Sequence, residues 1–262
     1  MAYKLLVINP GSTSTKIAVY DGETQSHLKN IDHSGDDLSK FEDILDQQDY
    51  RAQIIRDAVA EWNVNLKELS AVVGRGNMLP RMKGGGYLVE KNMVSAIKAG
   101  KASPHASNLG SLIAYSIAEP LGIPAYIYDA VTADEFTEVA KVTGMPGIKR
   151  ESMCHVLNVK AVSRKVAAER GTRYEDLKLV VAHMGGGITI SAHQGGKIVD
   201  AIRDDAGPFS PERAGSVPLL YVIDMCYSGK YTKKEMIKFI RGAGGHEGDA
   251  RHRRLPRNRE DD

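Results

Sequence analysis

The chain has 262 residues, of which 42% are hydrophobic and 26% are charged, and its formal net charge is +2. This length allows one large domain or two modest ones, and the nearly neutral charge indicates no nucleic-acid partner. No apolar run is long enough for a signal peptide or a membrane-spanning helix, which predicts a cytoplasmic protein that binds no membrane. The two cysteines, Cys154 and Cys226, fit no metal-ligand spacing and agree with a reduced compartment.

The first half of the chain alternates strand patterns with helix patterns, an order that is typical of a mixed or parallel sheet. The apolar runs and their spacing predict strands at 3–9, 16–20 and part of 24–33, a helix at 41–62, a strand at 71–73, a helix at 107–121 and a strand at 124–128. A stretch rich in glycine and proline follows at 143–147 and predicts a domain boundary.

The opening pattern of strand, turn, strand, turn and strand returns about 175 residues later. The predicted elements of this second part are a helix at 155–170, strands at 177–183, 188–193 and 197–202 with turns at 184–187 and 194–196, and a helix at 233–241. We therefore predict two similar domains, at 1–146 and 147–245, followed by a basic tail at 246–262.

The loop between the first two predicted strands is rich in small hydroxyl residues and reads Asn9-Pro10-Gly11-Ser12-Thr13-Ser14-Thr15 before Lys16. It is not a P-loop, because it lacks the second glycine before the lysine and because a strand follows where a P-loop needs a helix. Exposed N–H groups and hydroxyls in a hairpin loop can still hold phosphate oxygens. A polar turn whose groups satisfy one another explains the same residues, and both interpretations stay open.

Three consecutive glycines, Gly185, Gly186 and Gly187, form the turn between two of the later strands. Three glycines exceed what a turn needs, which indicates that the backbone comes close to a ligand. A strand follows rather than a helix, so the segment is not a dinucleotide-binding fingerprint. We predict a second phosphate-facing hairpin here.

Five ionisable residues are candidates for binding or catalysis. Arg75 between two glycines and Arg213 in a proline-rich segment are placed to clamp a carboxylate or phosphate, with a surface ion pair as the alternative. Asp129 ends a strand, a usual position for a catalytic or metal-binding carboxylate, with a helix N-cap as the alternative. His155 starts a helix and His183 ends a strand, and a core or surface role is the alternative for each. Together with the two hairpin loops, this set suits phosphoryl transfer.

Four segments resemble the butyrate kinase family, at 7–16, 105–110, 181–187 and 207–213, within a match that runs from about residue 3 to Gly245. That family belongs with the acetate kinases to the acetokinase family, within the acetate/sugar kinase, Hsp70 and actin superfold. The resemblance implies an α/β fold of two related actin-like (ribonuclease H-like) domains, with mixed sheets flanked by helices and the second domain incomplete.

The resemblance also implies a reaction. The enzyme would transfer a phosphoryl group reversibly from ATP to the carboxylate of a short-chain fatty acid, butyrate or 2-methylpropanoate, giving an acyl phosphate and ADP with Mg2+. Asn9, Ser12, Ser14 and Lys16 would face the nucleotide phosphates. Asn9 and Asp129 would hold the metal, and Asp129 would orient metal or substrate in catalysis. A homo-oligomer of two or more chains is implied as well.

The remaining roles implied by the resemblance concern the transferred group. Arg75 and Arg213 would flank the phosphoryl group and the carboxylate of the acid. His155 would donate a hydrogen bond to a phosphoryl oxygen in the transition state. His183 and the glycines at 185–187 would line the nucleotide phosphates.

The resemblance stops at Gly245, although the family continues with the rest of its adenosine pocket. The segment 246–262 has Leu255 as its one strongly apolar residue, and we predict a disordered, solvated basic tail, with a nucleic-acid arm as the alternative. A frameshift is a sharper hypothesis, because plausible codons read one nucleotide later can spell a family-like Tyr-Leu-Gly-Thr. On that hypothesis the 262-residue chain is poorly soluble and is a weak or inactive kinase.

Two other classes of function are alternatives. A non-catalytic or regulatory ATP-binding module of the same superfold would have no need of a carboxylate clamp, so Arg75, Asp129, His155 and Arg213 discriminate against it. A sugar kinase is the third interpretation, and no obvious general-base aspartate in a sugar-pocket motif supports it.

Overall fold

A computed structural model describes residues 3–102, 105–242 and 244–245. The chain divides into two compact units, Met1–Asp134 (unit 1) and Glu135–Asp262 (unit 2). This division falls earlier in the chain than the boundary predicted at 146, and the predicted tail at 246–262 lies outside the described residues. None of the helices in the described ranges combines the length and apolar composition that crossing a bilayer demands.

The strands of the described residues account for every predicted strand, with ends shifted by a few residues. They are β1 (Lys4–Pro10), β2 (Ser14–Asp21), β3 (Thr24–Asp32), β4 (Ala71–Arg75), β5 (Gly86–Leu88), β6 (Ala125–Tyr128), β7 (Lys178–Met184), β8 (Ile188–Gln194) and β9 (Lys197–Ile202). The short strand β5 was not predicted.

The helices of the described residues include every predicted one. They are α1 (Gly35–Leu38), α2 (Gln48–Glu61), α3 (Lys91–Lys98), α4 (Asn108–Ala118), α5 (Val156–Glu169), α6 (Leu219–Tyr227) and α7 (Lys233–Ile240). The helix predicted at 41–62 begins as a 3-10 turn, Ile44–Gln47, and continues as α2. Helices α1, α3 and α6 were not predicted.

Unit 1 is built on a six-stranded sheet in the order β3-β2-β1-β4-β6-β5. Strand β1 pairs antiparallel with β2 and parallel with β4, and β4 pairs parallel with β6, so this sheet is mixed as predicted. Leu6 and Ile8 of β1 are fully buried in a core to which α2 and α4 contribute. Burial of each such side chain stabilises the fold by about 1.5–3 kcal/mol, and it fixes the ends of β1 and β4, where Asn9 and Arg75 lie.

Unit 2 contains a three-stranded sheet in the order β7-β8-β9. All strand pairings in the described part of this sheet are antiparallel. Mixed sheets were predicted for both domains, and among the described residues the mixed pairing occurs in the sheet of unit 1. A buried ion pair ties α5 to this unit: Lys160 Nζ lies 2.7 Å from Glu135 Oε1. The second oxygen, Glu135 Oε2, accepts a 2.9 Å hydrogen bond from the N–H of Ile198 on β9, which satisfies the buried carboxylate.

His193 on β8 lies in a buried chain of hydrogen bonds within unit 2. Its Nδ1 is 2.6 Å from the Tyr174 hydroxyl and its Nε2 is 2.7 Å from Ser191 Oγ. The Ser191 hydroxyl donates to the carbonyl of Val181, so it accepts from Nε2–H, and Nδ1 accepts from the tyrosine. The imidazole is therefore neutral, and burial lowers its pKa to about 4.

We expect the free energy of unfolding to fall by about 3 kcal/mol between pH 7 and pH 4 because of His193. In the unfolded chain His193 is protonated below its ordinary pKa of about 6.5, whereas in the folded protein its imidazole stays neutral until the pH falls to about 4. Urea titrations at pH 7, 5.5 and 4 measure this loss. The His193→Gln variant keeps a donor and an acceptor, and its stability should fall less over the same interval. Equal losses in the two proteins would contradict the assignment.

Candidate active site

The loop between β1 and β2 is a tight hairpin end. The N–H of Gly11 donates a 2.8 Å hydrogen bond to the carbonyl of Ser14, and Asn9 lies opposite Lys16 in the antiparallel register. Asn9, Ser12 and Lys16 are exposed, and Ser14 is half-buried. The four residues predicted to face nucleotide phosphates are thus neighbours at one end of the sheet of unit 1.

A buried arginine that sequence reasoning missed lies beneath this loop. Arg51 of α2 is fully buried, and its guanidinium donates to the carbonyls of Gly11 at 2.8 Å, Ser12 at 3.0 Å and Ser14 at 3.2 Å. Gln47 accepts two further hydrogen bonds through Oε1. An arginine in an amphipathic helix normally indicates a solvated face, so the sequence held no signal for this contact.

Arg75 ends β4 next to the same hairpin, because β1 and β4 run parallel with Ile8 opposite Gly74. Its Nη1 lies 3.5 Å from Asn9 Oδ1, a long hydrogen bond. No carboxylate among the described residues forms an ion pair with it, and burial lowers its pKa from the usual arginine value. A guanidinium remains charged in proteins, so a partly desolvated cation stands beside the loop, where Coulomb interactions are stronger than in water.

The glycines on either side of Arg75 are required by backbone packing. A Cβ at Gly74 would lie 2.2 Å from the carbonyl oxygen of Gly110 on α4, and a Cβ at Gly76 would lie 2.5 Å from Cα of Ala130. These distances are too short for any side chain. The glycine frame therefore sets the position of Arg75 by letting the end of β4 pack closely against its neighbours, and needs no ligand to explain it.

Asp129 follows β6 and is buried, with a backbone φ of +43°. Its Oδ1 accepts a 2.8 Å hydrogen bond from the N–H of Gly85, and its own N–H donates to the carbonyl of Gly85 at 2.9 Å. No helix begins at this residue, so the alternative of a helix N-cap is wrong. Within the described ranges no group of three or more His, Cys, Asp or Glu residues could hold a metal ion, and the metal-binding role of Asp129 stays a prediction.

A cavity of about 590 Å³ lies elsewhere in unit 1 and contains none of the predicted site residues. Its lining includes Asp43, Asp46 and Asp49 together with Ile97 and Leu112. Three carboxylates against one lysine, Lys98, leave this lining with a net negative charge, so this cavity is unsuited to the nucleotide phosphates.

In unit 2 the two candidate histidines lie against each other. The rings of His155 and His183 stack with centroids 3.8 Å apart and planes 11° apart. His155 Nδ1 is 3.0 Å from Thr189 Oγ1, and His183 Nδ1 is 2.9 Å from Asn158 Oδ1. These bonds fix the orientation of both rings.

The glycine turn between β7 and β8 is bonded to the segment around residue 210. The carbonyl of Gly186 accepts from Ser210 Oγ at 2.6 Å and from the N–H of Glu212 at 3.1 Å. A Cβ at Gly186 would lie 2.9 Å from the Glu212 carboxylate, and one at Gly187 would lie 3.3 Å from Cβ of Asp204. Close approach therefore does occur at this turn, and the neighbours seen in the structure are protein groups.

Arg213 lies in a network of ion pairs within unit 2. Its Nε is 3.0 Å from Asp204 Oδ2 and its Nη1 is 3.2 Å from Glu212 Oε2. Arg241 Nη2 contacts the same aspartate at 2.8 Å and Asp205 at 2.9 Å. The ion-pair interpretation of Arg213 is thus present in the structure, and its role toward a ligand stays a prediction.

The fold is shared with solved acetate and propionate kinases, whereas no family model matches the chain. Acetate kinase of Porphyromonas gingivalis superposes with a TM-score of 0.70 at 18% identity, over 93% of this chain and 69% of that one. A propionate kinase of Francisella tularensis gives a TM-score of 0.68 at 18% identity over the same shares. These likenesses define the acetokinase-type, actin-like α/β fold and confirm the predicted fold class.

Two curated relatives are much more similar in sequence. The chain is 46% identical over 250 residues to a probable butyrate kinase of Clostridium botulinum, covering 95% of this chain and 70% of that protein. It is 46% identical over 245 residues to butyrate kinase 1 of Clostridium acetobutylicum, covering 93% and 69%. The chain belongs to the butyrate kinase family, and it is a kinase.

Proposed function

We propose that the chain transfers the γ-phosphoryl group of ATP to the carboxylate of a short-chain fatty acid, reversibly, giving an acyl phosphate and ADP. Butyrate and 2-methylpropanoate are the proposed substrates. The observation that carries the proposal is Arg75, a partly desolvated guanidinium whose Nη1 lies 3.5 Å from Asn9 Oδ1 at the first hairpin. Membership of the butyrate kinase family supports the same reaction.

The residues of unit 1 bind and orient the reactants in this proposal. The planar fork of Arg75 binds two oxygens of the carboxylate or of the phosphoryl group. Exposed Asn9 and the hydroxyls of Ser12 and Ser14 contact nucleotide phosphates, and Lys16 adds a point charge across the hairpin. A metaphosphate-like group between two anions needs such fixed donors and cations, because catalysis of phosphoryl transfer is mostly positioning and neutralisation of charge.

The residues of unit 2 act on the developing charge. His155 donates a hydrogen bond to a phosphoryl oxygen, and its ring is held by Thr189 and by the stack on His183. His183 and the glycines at 185–187 contact nucleotide phosphates. Arg213 contributes positive charge to the phosphoryl group or the acid, and Asp204 and Glu212 hold its guanidinium in one orientation.

The chain has a suitable first ligand for Mg2+. Asn9 Oδ1 is a neutral oxygen on an exposed residue at the hairpin, and a magnesium ion in a phosphoryl-transfer site takes most of its ligands from phosphates and water. Asp129 is the proposed second ligand, although its Oδ1 already accepts from the N–H of Gly85. When bound, Mg2+ neutralises charge on the phosphate oxygens.

We also propose a cytoplasmic location and a homo-oligomer of two or more chains. Both rest on the resemblance to the butyrate kinases. Size-exclusion chromatography with light scattering measures the oligomeric state directly.

A trapping assay tests the proposed function. The chain is incubated with ATP, Mg2+ and a panel of straight and branched short-chain acids, and hydroxylamine converts any acyl phosphate to a coloured hydroxamate. We expect hydroxamate that depends on the acid and on the protein, and ATP formation from ADP and butyryl phosphate in the reverse direction. The test asks whether hydroxamate forms only when both the acid and the protein are present, and it does not depend on how fast the hydroxamate forms. Nucleotide binding without acid-dependent transfer would instead favour the regulatory ATP-binding module.

A further inference from the structure

We propose that Arg51 is a positioning residue for phosphate binding: its buried guanidinium holds the backbone of the 11–15 loop in shape and supplies the positive charge beneath it. The inference rests on the proposed function, because it takes the loop to be the one that receives the nucleotide phosphates. The occupant of the loop is a polyphosphate group.

The contacts of Arg51 use all five of its N–H donors, and three of these donors go to the loop. Nη1 and Nη2 reach the carbonyls of Gly11, Ser12 and Ser14, and Nη1 also lies 3.1 Å from Thr15 Oγ1. The remaining donors, Nε and the second N–H of Nη2, go to Gln47 Oε1. A fork with fixed geometry therefore holds three carbonyls within four consecutive residues, and these carbonyls all point toward the protein interior.

The charge of Arg51 has no counter-charge in the described part of the chain. All of its hydrogen-bond acceptors are neutral carbonyl, amide or hydroxyl oxygens, and no carboxylate forms an ion pair with it. Burial without an anion is unfavourable, and it lowers the pKa of Arg51 although the guanidinium stays charged. Neutral donors could satisfy the same carbonyls. An anion that binds at the loop therefore accounts for the presence of a cation, rather than a neutral donor, beneath it.

The histidine next to Arg51, His33, adds no second positive charge beneath the loop. His33 is buried with its Nε2 2.8 Å from Thr15 Oγ1, and burial together with Arg51 lowers its pKa. The imidazole is neutral near pH 7 as a result. Arg51 thus provides the buried positive charge under the loop, in a medium where the dielectric screening is weaker than in water.

The test uses three variants of the full chain. They separate the charge of Arg51, the geometry of its guanidinium and the effect of replacing another arginine on α2. Arg51→Gln removes the charge, Arg51→Lys keeps the charge and loses the fork, and Arg56→Gln is the matched control. Arg56 lies on the same helix, is half-buried, and its Nη2 donates to the carbonyl of Ser116 at 3.1 Å, away from the loop. Calorimetry measures the dissociation constants of MgATP and of inorganic triphosphate, and kinetics gives KM for ATP and for butyrate.

We expect Arg51→Gln to weaken binding of both polyphosphates at least about tenfold and to raise KM for ATP by a similar factor. KM for butyrate should change less than about twofold. Arg51→Lys should show a loss of about threefold to tenfold, and Arg56→Gln should match the parent chain. A merely structural role would lower the amount of folded protein, and hence kcat, while KM stays constant.

Parent-like polyphosphate affinity in a folded Arg51→Gln protein would overturn the proposal. If only Arg51→Lys folds, its parent-like affinity would overturn it too, and if neither variant folds Arg51 is a structural residue and the proposal fails. Failure of the proposed function is a separate result, because it is read from acyl phosphate formation by the parent chain and not from polyphosphate binding.

Discussion

Replacing Arg75 by alanine is expected to lower kcat/KM for the fatty acid about 10³-fold. The side chain presents a planar fork to the transferring phosphoryl group or to the carboxylate, and its partial burial strengthens that interaction. MgATP affinity should change less than about threefold, because the hairpin residues bind the polyphosphate and Arg51 holds the hairpin loop in shape. Steady-state kinetics with a hydroxamate readout and calorimetric titration with MgATP measure the two effects.

Arg75→Lys is the matched control that separates the charge of Arg75 from the geometry of its guanidinium. It keeps the cation and loses the two-point fork, so most of the loss should remain. Neither variant should unfold the protein, because Arg75 forms no ion pair within the described residues and its hydrogen bond to Asn9 is long. Alanine and lysine variants with parent-like acyl phosphate formation would remove Arg75 from the mechanism.

The stacked histidines should behave as one unit. His155→Ala is expected to lower kcat about 10²-fold, because it removes a donor to the phosphoryl oxygen. Since the rings are 3.8 Å apart, His183→Ala disturbs the same donor, and the double variant should be little worse than the more damaged single variant. The kcat values of the four proteins give the coupling energy, which we expect to exceed about 1 kcal/mol.

His27 supplies the control for this cycle. Its ring stacks on Trp62 with centroids 5.0 Å apart in unit 1, so His27→Ala removes a stacked histidine that has no role in the proposed reaction. Its kcat should equal that of the parent chain. Effects of His155→Ala and His183→Ala that simply multiply would show that the stack does not couple the two residues.

Local sequence patterns predicted most of the scaffold because they reflect local physics. Strands β1 and β2 contain short continuous apolar runs, at 5–8 and 17–20, of the length that is typical of buried strands, and helix α4 follows from a long apolar segment bounded by polar residues. Helix α6 was missed, since Leu219–Tyr227 is apolar on all sides and lacks the period that separates helix from strand. The position of Arg75 at a strand end was also predictable, although the reason for its glycine frame was not.

What the sequence could not supply are contacts between segments far apart in the chain. Arg51 lies some 40 residues after the loop that it holds, and nothing in the pattern of α2 marks it as buried. Even at a separation of nine residues the sequence leaves the partner open: Arg213 could have met a ligand or a carboxylate, and its pairing with Asp204 depends on how the intervening chain folds. Asp129 was placed correctly at the end of β6, yet its bond to Gly85 depends on the antiparallel pairing of β6 with β5, which lies some 40 residues earlier in the chain.

The most direct test of the central claim, transfer of a phosphoryl group from ATP to a carboxylate, is 31P NMR of the chain with MgATP and butyrate labelled with 18O in both carboxylate oxygens. Attack of a carboxylate oxygen on the γ-phosphorus breaks the bond to the ADP oxygen and leaves an 18O atom bridging carbon and phosphorus. We predict an acyl phosphate resonance with the isotope shift of one 18O, together with an equal amount of ADP. Conversion of ATP to ADP and unlabelled inorganic phosphate, regardless of the acid, would contradict the account.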